Sequence, residues 1–276
     1  MSTLTEDLFA SLYLASADKS LSGFDSLYRV FTAESTVERL YKITDILIDN
    51  GKRFNLTSIL DPAEIIRKHI IDSLIPLGLM YSRGVLTPNQ GRERLDVCDV
   101  GVGGGFPSLP MAAAAMSVYE DGFADGGIRD SFGRLVFTGV DSTAKKINHV
   151  ISAAEYAGLD NYRAAVSRAE ELSLTKSREK YDIVTARALA PLPVLLELCL
   201  PLTKVGGYFC ALKGHAEEEI AAAGKSPEKL GASLAFTERY NIPGGDGREL
   251  LIYKKISETP PSYPRRYAEI TKHPLS

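Results

Sequence analysis

Residue types that could do chemistry are concentrated around one turn. LDVCDVGVGGGFPSLPMA, Leu95 to Ala112, runs from an apolar strand pattern into four glycines, a proline and an alanine-rich helical tract. A glycine turn after a strand of an α/β sheet lets backbone approach a ligand at the carboxyl edge of the strands. A phosphate cradle would need Gly-Lys-Ser/Thr at the helix start, where Phe106-Pro107 stands. A dinucleotide fingerprint fits less badly, but its third glycine is replaced by Phe106. What remains is an acidic-strand form, D-x-G-x-G, made by Asp99, Gly101 and Gly103. It suits a ligand with an amino-acid tail rather than a pyrophosphate, and S-adenosylmethionine is such a ligand.

Two more carboxylates fit that ligand. Asp141 ends the strand pattern FTGVD, from which an acidic side chain can accept hydrogen bonds from two ribose hydroxyls. The competing reading makes it the N-cap of a helix that begins at Ser142. Glu170 in SRAEEL follows the next strand, where an adenine would lie; alone it would read as a solvated surface charge. Acids at successive strand ends favour a nucleoside over both bland readings.

The elements that would position these residues alternate. LDVCDV, LVFTGVD, YRAAV, YDIVTA and GYFCAL read as strands starting at Leu95, Leu135, Tyr162, Tyr181 and Gly207, with helical patterns between them. Such alternation implies βαβ units and a mostly parallel sheet. SLAFTERYNI and RELLIYKKI, joined by PGGDG, read as an antiparallel hairpin at a sheet edge, completing seven strands with the last pair reversed. Ahead of the sheet, Val37, Leu40, Tyr41, Leu47 and Ile48 sit at helical spacing with Asn50-Gly51 as a stop. Asp61, Pro62 and Glu64 start a second helix as a capping box. The expected organisation is an N-terminal extension over 1–36, a helical cap over 37–94, an α/β core over 95–256 and a basic tail over 257–276. Tyr119 to Arg134, rich in Gly and Asp, reads as a surface insertion.

Bulk properties narrow the class. The chain has 276 residues, 45% hydrophobic and 24% charged, and a formal net charge of −3, which disfavours indiscriminate coating of nucleic acid but allows a local basic face. Its N-terminus carries acids where a signal peptide needs basic residues, and no apolar run approaches the roughly 20 residues of a membrane span, so a cytoplasmic protein without membrane partners is expected. Cys98, Cys199 and Cys210 are widely spaced among apolar neighbours, which suggests buried thiols rather than disulfides or a metal site.

Several separated motifs together resemble the bacterial 16S ribosomal RNA guanine-N7 methyltransferases, the RsmG or GidB family. They are FNLTSI from Phe54, HIIDSL from His69, DVGVGGGFPSLP, VDSTAKK from Val140, SRAEE, TARALAPL from Thr185, ALKG from Ala211 and the ending YPRRYAEITKHPL. The resemblance implies a Rossmann-like seven-stranded methyltransferase sheet with S-adenosylmethionine as cofactor and 16S ribosomal RNA or the small ribosomal subunit as partner, in a monomeric enzyme. It also implies that Gly101 and Phe106 contact the cofactor, that Ala169 and Glu170 flank its adenosine, and that Arg187 is a positioning residue at the cofactor and substrate mouth. Ser108 stands where the family commonly has glycine, and the 119–134 insertion lengthens the gap to Asp141.

Guanine N7 has an in-plane lone pair and no proton, so methyl transfer to it needs no general base, only alignment and electrostatics. A packed, hydrogen-bonded His69 is therefore expected rather than a catalytic one, and Asn55 and Asp72 have structural or substrate-side duties. For Arg187 the competing reading is an ion pair with a neighbouring acid. Lys145, Lys146, Lys213, Arg265 and Arg266 are the cations expected to hold RNA phosphates. The rival for Lys145-Lys146 is a solvated helix face, and for the tail a structural strap anchored by Tyr263 and Leu275.

Overall fold

The computed structural model describes residues 24–54, 56–87, 94–121, 126–242, 244 and 247–276. Asn55, most of the 1–36 segment, residues 122–125 and most of the PGGDG turn lie outside the described residues.

Among the described residues, three helical segments precede the sheet. α1 spans Phe24–Phe31 and α2 Glu34–Phe54; Leu27, Val30 and Phe31 of α1 are buried, so the end of the expected extension belongs to the core. In α2, Val37, Leu40, Ile43 and Leu47 bury one face. The expected stop at Gly51 is absent, because this glycine lies inside the helix. A Cβ there would stand 2.5 Å from Leu60 Cδ2, so the residue serves close packing instead. α3, Pro62–Ile65, begins as expected, with Asp61 Oδ1 accepting from Glu64 N at 3.0 Å. It runs through a π-helical stretch, Ile66–Ile71, into α4, Asp72–Ser82. The wider π turn falls on His69 and immediately precedes Asp72, both of which face the site.

The strands are β1 Leu95–Val100, β2 Leu135–Asp141, β3 Tyr162–Val166, β4 Tyr181–Arg187, β5 Thr203–Lys213, β6 Ala232–Asn241 and β7 Gly247–Lys255. The helices after α4 are α5 Ser108–Asp121, α6 Gly126–Phe132, α7 Ala144–Tyr156, α8 Ala169–Leu172, α9 Leu192–Cys199, α10 Glu217–Ala223, α11 Ser226–Lys229 and α12 Tyr267–Lys272. All seven strands form one sheet in the order β3-β2-β1-β4-β5-β7-β6. The hairpin exists, but only β7 opposes the rest. It pairs antiparallel with both β5 and β6, so β6 runs with the first five strands and sits at the edge.

One apolar cluster joins α1, α2 and α4 to α5, α7 and one sheet face, so the helical cap shares the core and is not a separate body. A second cluster on the opposite face joins α9 and α10 to Tyr263, Ile270 and Leu275 of the tail. The 119–134 segment is more than a surface insertion: Ile128 and Phe132 of α6 are buried, and Phe132 meets Tyr81 edge-on at 5.5 Å.

Candidate functional site

The glycine turn sits where the order of strands reverses direction, β1 lying between β2 and β4, which is where open α/β sheets bind ligands. Gly101, Gly103 and Gly105 have φ of 75°, 56° and 103°, conformations that side chains with a Cβ rarely adopt. A Cβ on Gly101 would lie 2.7 Å from Leu189 Cδ1. Beneath the turn, Asp99 accepts from Ser108 N at 3.2 Å and from Thr185 Oγ1 at 3.0 Å. Burial pushes its carboxyl up to about 6. Asp99 was expected among the cofactor contacts, but it lines neither cavity at the site. It is buried behind the turn and braces it against β4 and the start of α5. Ser108, where the family commonly has glycine, is part of that brace and also meets Tyr162 Oη at 2.8 Å.

Two cavities meet at the turn. The larger, about 740 Å³, lies among the cap, the glycine turn and the β6–β7 hairpin; the smaller, about 210 Å³, lies over the ends of β2 and β3. Gly101, Asp141, Lys146 and Leu189 line both. Asp141 is the junction: Oδ1 accepts from Thr143 N at 2.9 Å, Oδ2 from Gly103 N at 3.2 Å, and Lys146 Nζ stands 3.6 Å away. It tethers the start of α7, as the capping reading required, although the N-cap itself is Thr143. At the same time its carboxylate opens onto both cavities, and each oxygen keeps further acceptor capacity for hydroxyls. Ala169 and Glu170 line the smaller cavity at the start of α8, and Glu170 is nearly buried, with Arg168 Nη1 3.9 Å away.

In the larger cavity Phe106 stacks on His69, ring centroids 4.7 Å apart, and the Arg187 guanidinium lies over the Phe106 ring at 5.5 Å. His69 Nδ1 is 3.1 Å from the Lys68 carbonyl and so carries the proton. Nε2 is then the acceptor for Thr57 Oγ1 at 3.2 Å. Burial, reinforced by Arg187, lowers its pKa to about 4, and the ring is neutral at pH 7. Arg187 Nη1 meets Asp72 Oδ2 at 3.3 Å, and Asp72 Oδ1 also takes Tyr240 Oη at 2.9 Å and faces Arg248 Nε at 3.6 Å. Burial pushes Asp72 above the usual carboxylate range and Arg187 below the usual guanidinium range, while their mutual attraction opposes both shifts.

Tyr240 and Arg248 carried no signal as single residues. They face each other across the β6–β7 ladder, one step in from the Asn241–Gly247 pair that closes the hairpin. A register drawn outward from the PGGDG turn would have placed them together. Leu189 also went unnoticed; it follows Ala188, whose φ is 52°, and leans over Gly101.

The expected RNA cations part company. Lys145 and Arg266 are exposed. Lys146 faces Asp141. Lys213 lines the larger cavity, but its ammonium donates to the Ala190 carbonyl at 3.1 Å and meets Glu219 at 2.7 Å, so its charge is matched internally. Arg265 is no free anchor either. Its Nε and Nη2 bind the Glu197 carboxylate at 2.9 and 2.6 Å, its backbone N–H donates to the same group at 2.8 Å, and Glu197 is fully buried. With Tyr263 and Leu275 packed on the second core cluster, the tail is a strap.

Residues 36–243 match the family described as rRNA small subunit methyltransferase G, GidB. The Ribosomal RNA small subunit methyltransferase G of Lactobacillus delbrueckii subsp. bulgaricus is 38% identical over 83% of this chain and 87% of its own. The proteins of the same name from Acetivibrio thermocellus and Deinococcus deserti are 34% and 37% identical, covering 88% and 83% of this chain and 90% and 85% of theirs. Among solved structures, an rRNA methylase from Streptococcus thermophilus is 12% identical over 66% of this chain and 97% of its own, with a TM-score of 0.44.

Proposed function

The chain belongs to the family of rRNA small subunit methyltransferase G, GidB, and from that membership we propose that it transfers a methyl group from S-adenosylmethionine to N7 of a guanine in 16S ribosomal RNA. The observation that carries the reading is the pair of cavities sharing Gly101, Asp141 and Leu189: one sized for an adenosine, the other open enough for a methionine moiety and an incoming base.

The residues present fit the cofactor. A turn with three glycines at positive φ leaves backbone where a side chain would obstruct an amino-acid tail, and Asp141 offers acceptors at the junction where a ribose would lie. Ala169 and Glu170 would flank the adenine, and Gly101, Gly103 and Phe106 would hold the remainder. When bound, the cofactor supplies an electrophilic methyl group on a sulfonium.

The chain's own residues align rather than exchange protons. Neutral His69 holds the Phe106 ring flat, and Phe106 with Asp72 fixes Arg187 at the cavity wall, so the guanidinium is a positioning residue whose charge is balanced by a neighbouring acid. No proton has to leave N7, which is why a His69 with its Nδ1 proton committed to Lys68 is compatible with the reaction. As positive charge passes from sulfur to the purine, the Asp141 carboxylate, held by the Gly103 and Thr143 amides, is a fixed acceptor that needs no rearrangement. Lys145 and Arg266 remain the candidates for phosphate contacts.

The test mixes protein, methyl-labelled S-adenosylmethionine and either free 16S RNA or small subunits, then locates label by borohydride reduction and aniline cleavage, which cuts at N7-methylguanine. Label at one guanine N7 is the expected outcome. Its absence from both substrates would sink the reading.

A further inference from the structure

The tail does more than strap the second core face. We propose that Tyr267, carried by α12, is the outer wall of the adenine site, so that the last twenty residues complete the cofactor pocket; this rests on the reading of the smaller cavity given above.

Three observations converge. Tyr267 lines the smaller cavity together with Ala169 and Glu170 and with Asp141 from the end of β2. Tyr267 is still 39% exposed, although the tail around it is tightly fastened, with Ile270 fully buried and Arg265 bound to Glu197. An aromatic ring half covered at the lip of a cavity is one that a ligand can finish covering. The ring is also oriented: the Arg168 guanidinium lies over it at 5.9 Å, and Arg168 in turn faces Glu170 at 3.9 Å. Arg168, Glu170 and Tyr267 thus form one assembly around the place where a purine would enter.

A helix of six residues has almost no stability of its own, so the ring's position is set by the anchors on either side. The geometry explains why a structural tail should reach over the carboxyl edge of the sheet. A purine lacks charge to pair with Arg168 but presents two π faces, and an aromatic wall stabilises it without demanding a particular hydrogen-bond pattern.

Calorimetry on the full chain with two probes tests this: S-adenosylhomocysteine, and methylthioadenosine, which keeps the adenosine and lacks the amino-acid tail. Tyr267→Ala should weaken both by the same factor, about 10-fold, and Tyr267→Phe should bind within about twofold of wild type, since the ring and not the hydroxyl is the wall. Should Tyr267→Ala lower the melting temperature, Tyr267→Leu keeps apolar bulk over Arg168 and should still weaken both probes. Unchanged affinity in a folded Ala or Leu variant, a loss seen with S-adenosylhomocysteine alone, or a Phe variant as weak as Ala would each overturn the proposal. Failure of the wild-type chain to bind either probe would instead overturn the cofactor reading itself.

Discussion

Asp72 and Glu197 are both buried carboxylates that face an arginine, one at the wall of the larger cavity and one beneath the C-terminal tail. Around Glu197 everything is satisfied. Arg265 binds it through Nε and Nη2, its backbone N–H adds a third hydrogen bond, and the contact raises the guanidinium pKa further. Around Asp72 the fit is looser. Arg187 makes one contact at 3.3 Å, Arg248 stands at 3.6 Å, and burial works against the charges of both Asp72 and Arg187. The first arrangement spends a bidentate pair on holding chain in place. The second keeps two guanidinium groups beside open space, at some expense in stability, where a substrate can use them.

The largest effect should come from breaking the tighter pair. Arg265→Ala leaves Glu197 buried without its cation, and loss of about 3–5 kcal/mol in unfolding free energy is expected by chemical denaturation. The salt dependence of RNA binding should stay at the wild-type slope. A stable variant with a flatter slope would return Arg265 to the RNA-anchor role and dissolve the contrast.

Arg187→Met attacks the looser pair. Methyl transfer should fall by about 100-fold or more, because alignment at the cavity wall is lost. Unfolding free energy should move by under about 1.5 kcal/mol, since Tyr240 and Arg248 still reach Asp72. If this variant unfolds as readily as Arg265→Ala while retaining its rate, the two arginines have been assigned the wrong way round.

How much of this was legible differs by region for a physical reason. The glycine turn was readable because φ values of 56° to 103° select for glycine, and the place of Asp141 because it ends a strand whose pattern is strong. Asp99 was misplaced because an acid facing a ligand and an acid bracing the backbone behind it look the same in a D-x-G-x-G string. What the cap packs against was not legible, because helical spacing shows that a face is buried, not what it is buried against. Arg265 looked like a phosphate anchor because its partner, Glu197, is 68 residues away in an otherwise apolar helix, and nothing local marks that acid as paired.

Asp141 lies between the two kinds of pair, holding backbone as Glu197 does and facing a cavity as Asp72 does. Asp141→Asn keeps one oxygen and replaces the other with a donor that points at an N–H. Cofactor affinity should fall by about 1.5–3 kcal/mol, and stability should also drop, by about 1 kcal/mol, because the Gly103 or Thr143 amide loses its acceptor. Loss of stability with cofactor affinity intact would make Asp141 a second Glu197, with no ribose to hold.

The smallest effect concerns the neutral ring that supports Arg187. The folded-state pKa of His69, about 4, is below the ordinary histidine value of about 6.5. Between those values the unfolded chain binds more protons at this position than the folded one, so stability rises with pH through the window and is lost as pH falls from 6.5 towards 4. Asp99 works in the opposite sense: its folded pKa of about 6 lies above the unfolded value, so its contribution weakens as pH rises through 6. His69→Phe leaves Asp99 in place and keeps an aromatic ring against Phe106, so the difference between wild type and variant isolates the histidine. That difference should change by on the order of 1–2 kcal/mol between pH 4 and pH 6.5, allowing for solvent at the cavity mouth, with the variant gaining ground at the acid end. Urea unfolding at four or five pH values measures it. Parallel curves would mean that His69 titrates as it does in the unfolded chain, and that the wall behind Arg187 is wetter than its stacking on Phe106 implies.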